Sequence, residues 1–476
     1  MDSVWDGVCP ANPIEEQPTI GLIGMGAMGR MYAKHLSKAG WKKIHVCDLP
    51  GKYEGLKKEY TDVSGITVLP DGHSVSRSSD FIVYSVEAEF IERVVAQYGP
   101  STKMNAIVAG QTSVKAPEKA AFEKHLPPDT HIVSCHSLHG PGVSPVGQPL
   151  VLIQHRAPPE ALHLVENILR SFGSRYVYLS YEEHDLVTAN TQAVTHAAFL
   201  SMGTAWAAMK EYPWEQGLYV GGIETAKVNI TLRIYSNAWH VYAGLAILNP
   251  SAKIQIDQFA ESATELFKLM LQGGAEGGEQ RFRERVEWAR QIVFGEDEKD
   301  GKKRTPILLS EDVLDRFSLG RTPASPAVPL PSSSTPSPTN SQNNANSHLS
   351  LLAMVDCWAH LKIQPFLHLA LAATPIFRLF LGVAEHLFLS PTMLDSAIHS
   401  ALYDTWHRRD DLEFVVAARG WSQCVSFGGF DLYHRRFEET RVFFEGRFEE
   451  AGVLGSEMIK AIMESEKERE ARESRS

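Results

Sequence analysis

An uncharged run, Thr19-Ile20-Gly21-Leu22-Ile23, leads directly into Gly24-Met25-Gly26-Ala27-Met28-Gly29, and Met28, Met31, Tyr32 and Leu36 then repeat at helical spacing. A strand, a G-x-G-x-x-G loop and a helix in that order restrict this stretch to the first βαβ unit of a doubly wound sheet. Gly24 permits the tight turn, Gly26 lets backbone approach a pyrophosphate, and Gly29 lets the helix pack closely on the strand. The helix amino terminus adds free N–H groups and a positive dipole end. A second apolar run, Lys43–Cys47, ends at Asp48, 19 positions after Gly29, where an acidic residue bonds ribose hydroxyls. Gly24, Met25, Gly26, Ala27, Met28, Gly29 and Asp48 are therefore the candidate contacts to a nicotinamide dinucleotide. Asp48 favours NAD, whereas Lys52, Arg30 and Arg77 offer charge to a 2′-phosphate, so the residues alone leave NAD and NADP both open.

The pattern continues to Ser180. Phe81–Ser85, Ala106–Ala109, His131–Cys135, Leu150–Ile153 and Tyr176–Leu179 read as further strands, with helical segments such as Phe90 to Val95 between them. Beyond Ser180, long helical patterns dominate, as in Leu186–Met209. The expected architecture is an α/β Rossmann-type doubly wound domain over 18–180, followed by an all-α dimerisation and substrate domain over 181–445. An amino-terminal extension covers 1–17 and a charged carboxyl-terminal tail 446–476. Six prolines fall between Pro323 and Pro338 in a Ser/Thr/Asn-rich stretch, and 272–347 reads as a peripheral insertion with a disordered centre.

Composition excludes several function classes. Of 476 residues, 43% are hydrophobic and 22% charged, ordinary for a soluble enzyme, and the net charge of −11 offers no basic face for nucleic acid. Phe366–Leu389 is apolar but holds His368, Arg378, Glu385 and His386, which disfavours a membrane span. The acidic, proline-containing first twenty residues read as neither a secretory signal nor a mitochondrial presequence. Five scattered cysteines suggest reduced thiols in a cytoplasmic protein, and no metal-ligand spacing is present.

Ligands of open α/β sheets bind beyond the carboxyl ends of the strands. Two further loops follow such ends: Gly110-Gln111-Thr112-Ser113-Val114-Lys115 and His136-Ser137-Leu138-His139-Gly140-Pro141. A neutral His136 there suits proton abstraction from a hydroxyl during hydride transfer, and Ser113 is the candidate to orient it. In the helical domain, Asp185, Gln192 and His196 share one helix face, solvent-facing or lining a cleft. Arg378, set among apolar residues, needs an anion from the protein or from a substrate.

Taken together, these motifs resemble the fungal NADP-dependent prephenate dehydrogenases of tyrosine biosynthesis. The resemblance runs from about Ile20 to Ile462 outside the insertion. It rests on Gly21–Gly26, Gly110–Ser113, His136–Pro141, Glu183-His184-Asp185, Thr191–Phe199 and Asn346–Leu352. It implies hydride transfer from prephenate to NADP⁺ with loss of carbon dioxide, giving 4-hydroxyphenylpyruvate. It also implies catalytic roles for His136 and Ser113, and substrate contacts from Gln192, His196 and Arg378. A homodimer and a possible tyrosine feedback ligand follow from the same likeness. Bacterial relatives carry a second arginine where this chain has His386, so Lys115 or Arg233 is a candidate to share the carboxylate. They also have His-Pro where this chain has His136-Ser137. Two rival readings remain at this point. One is a β-hydroxyacid dehydrogenase using Lys227 near Asn229, and the other is a non-catalytic NADP-sensing regulator.

Overall fold

The computed structural model describes residues 7–299, 307–319, 345–368 and 375–473. Contacts divide the chain at Thr188/Ala189 into two compact units. The first is built on eight strands in the order β3-β2-β1-β4-β5-β6-β7-β8. These are β1 (Ile20–Ile23), β2 (Ile44–Cys47), β3 (Ile66–Val68), β4 (Phe81–Tyr84), β5 (Ile107–Gly110), β6 (His131–Ser137), β7 (Pro149–Arg156) and β8 (Arg175–Tyr178). Strands β1 to β6 are parallel, whereas β7 runs antiparallel to β6, and β8 is parallel to β7.

Strands β1, β4 and β5 are buried along their whole length, as expected where helices cover both faces of a parallel sheet. Leu22, Phe81 and Val83 pack with Tyr32 and Leu36 of α1 (Ala27–Ala39) on one face. Ile82 and Tyr84 pack on the other with Val75, Ile91, Val95 and Phe122. The order of strands reverses between β1 and β4, which makes the carboxyl ends of these two strands the switch point.

Three sequence expectations change here. Strand β3 was not expected, because its three residues are only half-buried or exposed and give no apolar run. Strand β6 extends to Ser137, so His136 lies within a strand, paired to Val151, and not in the loop after it. The parallel sheet ends at β6, because β6 and β7 form a hairpin.

The second unit is helical. Leu349–Leu361 is buried on all sides from Leu349 to Ala359, which makes it a central helix. Pro250–Leu271 packs beside it and is capped by Asn249, whose side chain accepts from the amides of Ser251 and Ala252. Gly278–Lys299, expected to lie in a peripheral insertion, is a helix whose Phe282, Val286, Ala289, Val293 and Phe294 belong to this core. Its charged residues hide an apolar stripe. The expected disordered centre, 320–344, lies outside the described residues. The expected tail is likewise a helix, Phe448–Glu473, with Ala451, Met458 and Ile462 in the core. Among the described residues no helix is long and apolar enough to cross a membrane.

Candidate functional site

The glycine loop occupies the switch point. Gly24 has φ +101°, and a Cβ there would collide with the Ser85 carbonyl oxygen. A Cβ on Gly29 would collide with the Gly24 oxygen, so loop and helix can approach only without side chains. Gly26 differs: its missing Cβ would meet nothing within 4 Å. Open space above bare backbone, beside the first-turn N–H groups of α1, fits a pyrophosphate.

Asp48 is turned toward the protein. Its carboxylate accepts the Met25 amide at 3.1 Å and the Leu49 amide at 2.7 Å, and pairs with Lys52 at 3.3 Å. The expected ribose contact is therefore in competition with the loop itself, and Asp48 holds the glycine turn against β2. Lys52 remains more than half exposed. Arg30 pairs with Glu59 at 2.8 Å and also donates to the Met25 carbonyl. Both cations flank the end of β2, where a 2′-phosphate would lie.

Beside the loop, two links tie the ligand edge together. The Ser85 hydroxyl donates to Gln111 Oε1 at 2.8 Å. Tyr32 of α1 and Ser137 of β6 share a buried hydroxyl–hydroxyl bond of 2.8 Å.

Lys115 is the main correction to the expected site. It is completely buried, and its Nζ lies 2.8 Å from Glu118, 2.9 Å from Gly110 O, 3.0 Å from Cys135 O and 3.1 Å from Ser134 Oγ. Four oxygens surround three N–H donors, which leaves none for a substrate carboxylate. Glu118 also accepts from Ser134 Oγ, Thr112 Oγ1 and the Thr112 amide. This ion pair fastens the loop after β5 to β6 immediately before His136.

His136 is half-buried at the end of β6. Burial, then the neighbouring His184, Lys115 and His139, hold its imidazole well below the ordinary value, so it is neutral at pH 7. Its Nδ1 lies 2.8 Å from Nε2 of the buried His184. Ser113, expected as its partner, makes no hydrogen bond to it among the described residues. His184 is a site residue that sequence reasoning passed over, since 48 positions separate it from His136. Asp185, expected on a polar helix stripe, instead accepts the amides of Lys115 and Ala116 at 2.7 Å each.

The helical unit holds the remaining candidates. His196 stands edge-on to Tyr242 and Phe380, with ring centroids at 4.9 and 5.7 Å. Burial pushes its pKa down to about 3, and its Nδ1 has no partner among the described residues. The pocket around it, lined by Ala193, Leu200, Leu245 and Trp421, leaves about 10 Å³, roughly one water. Gln192 and Arg378 are half-buried, the latter on helix Pro375–Phe388. Arg233, half-buried, lies on helix Gly222–Ser236. On the same helix, Lys227 is buried against Glu224 at 2.9 Å and Tyr219 at 4.8 Å, an interior ion pair that does not suit the exposed catalytic lysine of the rival reading.

A glycine loop at the switch point with a neutral histidine at the same sheet edge defines the class of nicotinamide-dependent oxidoreductases. Residues 19–109 match the family described as NADP oxidoreductase coenzyme F420-dependent, and 193–464 match a 6-phosphogluconate dehydrogenase C-terminal domain family of the tyrosine-enzyme type. The "Probable prephenate dehydrogenase", NADP(+) form, of Schizosaccharomyces pombe is 50% identical over 452 residues, covering 95% of this chain and 99% of the relative. Prephenate dehydrogenase, NADP(+) form, of Saccharomyces cerevisiae is 50% identical over 460 residues, covering 96% of each. The crystal structure of prephenate dehydrogenase from Aquifex aeolicus aligns with a TM-score of 0.44 at 19% identity, over 56% of this chain and 97% of that one. The chain belongs to the fungal NADP-dependent prephenate dehydrogenase family.

Proposed function

We infer that this chain catalyses the oxidative decarboxylation of prephenate to 4-hydroxyphenylpyruvate with NADP⁺, a step of tyrosine synthesis. The observation that carries this reading is the 50% identity, along 95% of the chain, to a yeast protein bearing that name. NADP⁺, when bound, supplies the hydride acceptor. The loop Gly24–Gly29 and the first turn of α1 hold its pyrophosphate, and Lys52 and Arg30 take its 2′-phosphate. Asp48 supports the loop.

His136 Nε2 accepts the proton of the ring hydroxyl as the carbon bearing it loses hydride. The bond from the opposite ring carbon to its carboxylate then breaks, and that electron pair aromatises the ring. The resulting phenolate takes the proton back from His136, so the reaction releases carbon dioxide and no net proton. A neutral imidazole is the form this requires. In the helical unit, Gln192, His196 and Arg378 are assigned to the substrate, and the unpartnered Nδ1 of His196 supports a polar contact there. Ser113 is assigned to the substrate hydroxyl, and Lys115 to holding the loop.

The same reading includes a homodimer through the helical unit, tyrosine as a feedback ligand and a cytoplasmic location. All five cysteines are free thiols, which agrees with the last. The test is to mix the purified chain with prephenate and NADP⁺ and follow nicotinamide absorbance, repeating with arogenate and with NAD⁺. Reduction with prephenate and NADP⁺ is expected. No reduction of either cofactor by prephenate overturns the reading.

A further inference from the structure

Resting on His136 as the base, the geometry points to His184, anchored by Asp185, as the positioning residue that sets the tautomer of His136 and shares its charge. His184 Nδ1 lies 3.0 Å from Asp185 Oδ1, and His184 Nε2 lies 2.8 Å from His136 Nδ1. Asp185 also receives the Lys115 and Ala116 amides. Three N–H groups converge on it, and that arrangement suits an ionised carboxylate, which only accepts. The proton between Asp185 and His184 is therefore on His184 Nδ1. That leaves a lone pair on His184 Nε2, so the proton of the next contact is on His136 Nδ1. His136 Nε2 is then bare, which is the form a base needs. One carboxylate thus fixes two imidazole tautomers in series.

When Nε2 takes the substrate proton, His136 becomes a cation. Its Nδ1–H then bonds more strongly to His184 Nε2, and Asp185 polarises His184 in the same direction; no second proton needs to move. The other ionisable groups facing His136 are Lys115 and His139. The ammonium of Lys115 is countered by Glu118, so the pair His184–Asp185 is the support available to the new charge. His184 is 1% exposed, which keeps water from competing for this bond.

Full-length protein labelled with ¹⁵N-histidine tests the assignment. In the unsubstituted chain the His136 signals are expected to report the Nδ1–H tautomer. His184→Leu should lose about 10²-fold in kcat with KM for prephenate within about threefold, and should lose the Nδ1–H signature. His184→Gln, whose amide oxygen can still accept from His136, should recover to within about tenfold of the parent. Asp185→Asn offers His184 a donor in place of an acceptor and should reverse both tautomers. An Nε2–H tautomer at His136 in the unsubstituted chain overturns the proposal, and so does equal activity of His184→Leu and the parent. If both His184 variants lose kcat equally with the His136 tautomer unchanged, the role is structural and the proposal also fails. His136→Asn separates the two levels. Full turnover in that variant removes the base itself, whereas lost turnover with an unaffected His184→Leu removes only the support.

Discussion

Two half-buried histidines, His136 at the sheet edge and His196 in the helical unit, have imidazoles pushed well below the ordinary value, chiefly by burial. Their surroundings are otherwise unlike. His136 is followed by His184 and Asp185, so each of its protonation states meets a defined partner. His196 stands between aromatic edges with an unpartnered Nδ1. A low pKa alone does not mark a base. What distinguishes the two is a polar chain that can accept the charge created when a proton arrives.

The comparison breaks most visibly at His136. His136→Asn should lower kcat by about 10²–10⁴-fold while dinucleotide affinity, measured by fluorescence titration, stays the same. Next comes the ion pair beneath it. Glu118→Gln leaves the Lys115 ammonium buried without its counter-charge and should destabilise the protein by about 3–5 kcal/mol in urea denaturation. A shift below about 1 kcal/mol would place Lys115 in water instead.

Further down in size is the cofactor edge. Lys52→Ala should raise KM for NADP⁺ about tenfold, roughly 1.4 kcal/mol, and leave that for NAD⁺ little changed. The pH profile sharpens the contrast. A base with a depressed pKa stays active above that pKa and is lost as pH falls through it, so kcat/KM should hold from pH 7 to about 6 and decline only below the ordinary histidine value of about 6.5. An acid limb above pH 7 would contradict a neutral His136.

The smallest effect is expected at His196. His196→Phe fills the same aromatic pocket without an orphan nitrogen and should change stability by less than about 1.5 kcal/mol. It should also flatten part of the acid dependence. The unfolded chain binds a proton at His196 below about pH 6.5 while the folded chain does not until about pH 3, so stability declines as pH falls through that window.

How much of this could be read beforehand depends on whether the signal is local. The glycine loop, β1 and α1 are contiguous, and each residue's task follows from its neighbours. His136 was legible because it follows an apolar strand, but its true partner lies 48 residues away, beyond any periodic pattern. Lys115 looked like a free cation because an isolated lysine usually is. The one local warning was Glu118, a single helical turn later. Helix Gly278–Lys299 was misread for the opposite reason: Phe282, Val286, Ala289 and Val293 form a readable stripe, outweighed by the arginines and glutamates between them.

The reversal of direction at β7 has a consequence for how such an enzyme changes over time. A parallel crossover must carry a helix of fixed length across the sheet, but β6 and β7 are joined by a hairpin, with Ser137 opposite Leu150. Residues 138–148 therefore project past the ligand edge with both ends pinned by the pairing behind them, and most of this segment is exposed. Insertions and deletions there disturb no helix and no register. Substrate scope can drift in that loop across generations while the strand that carries the histidine stays where it is.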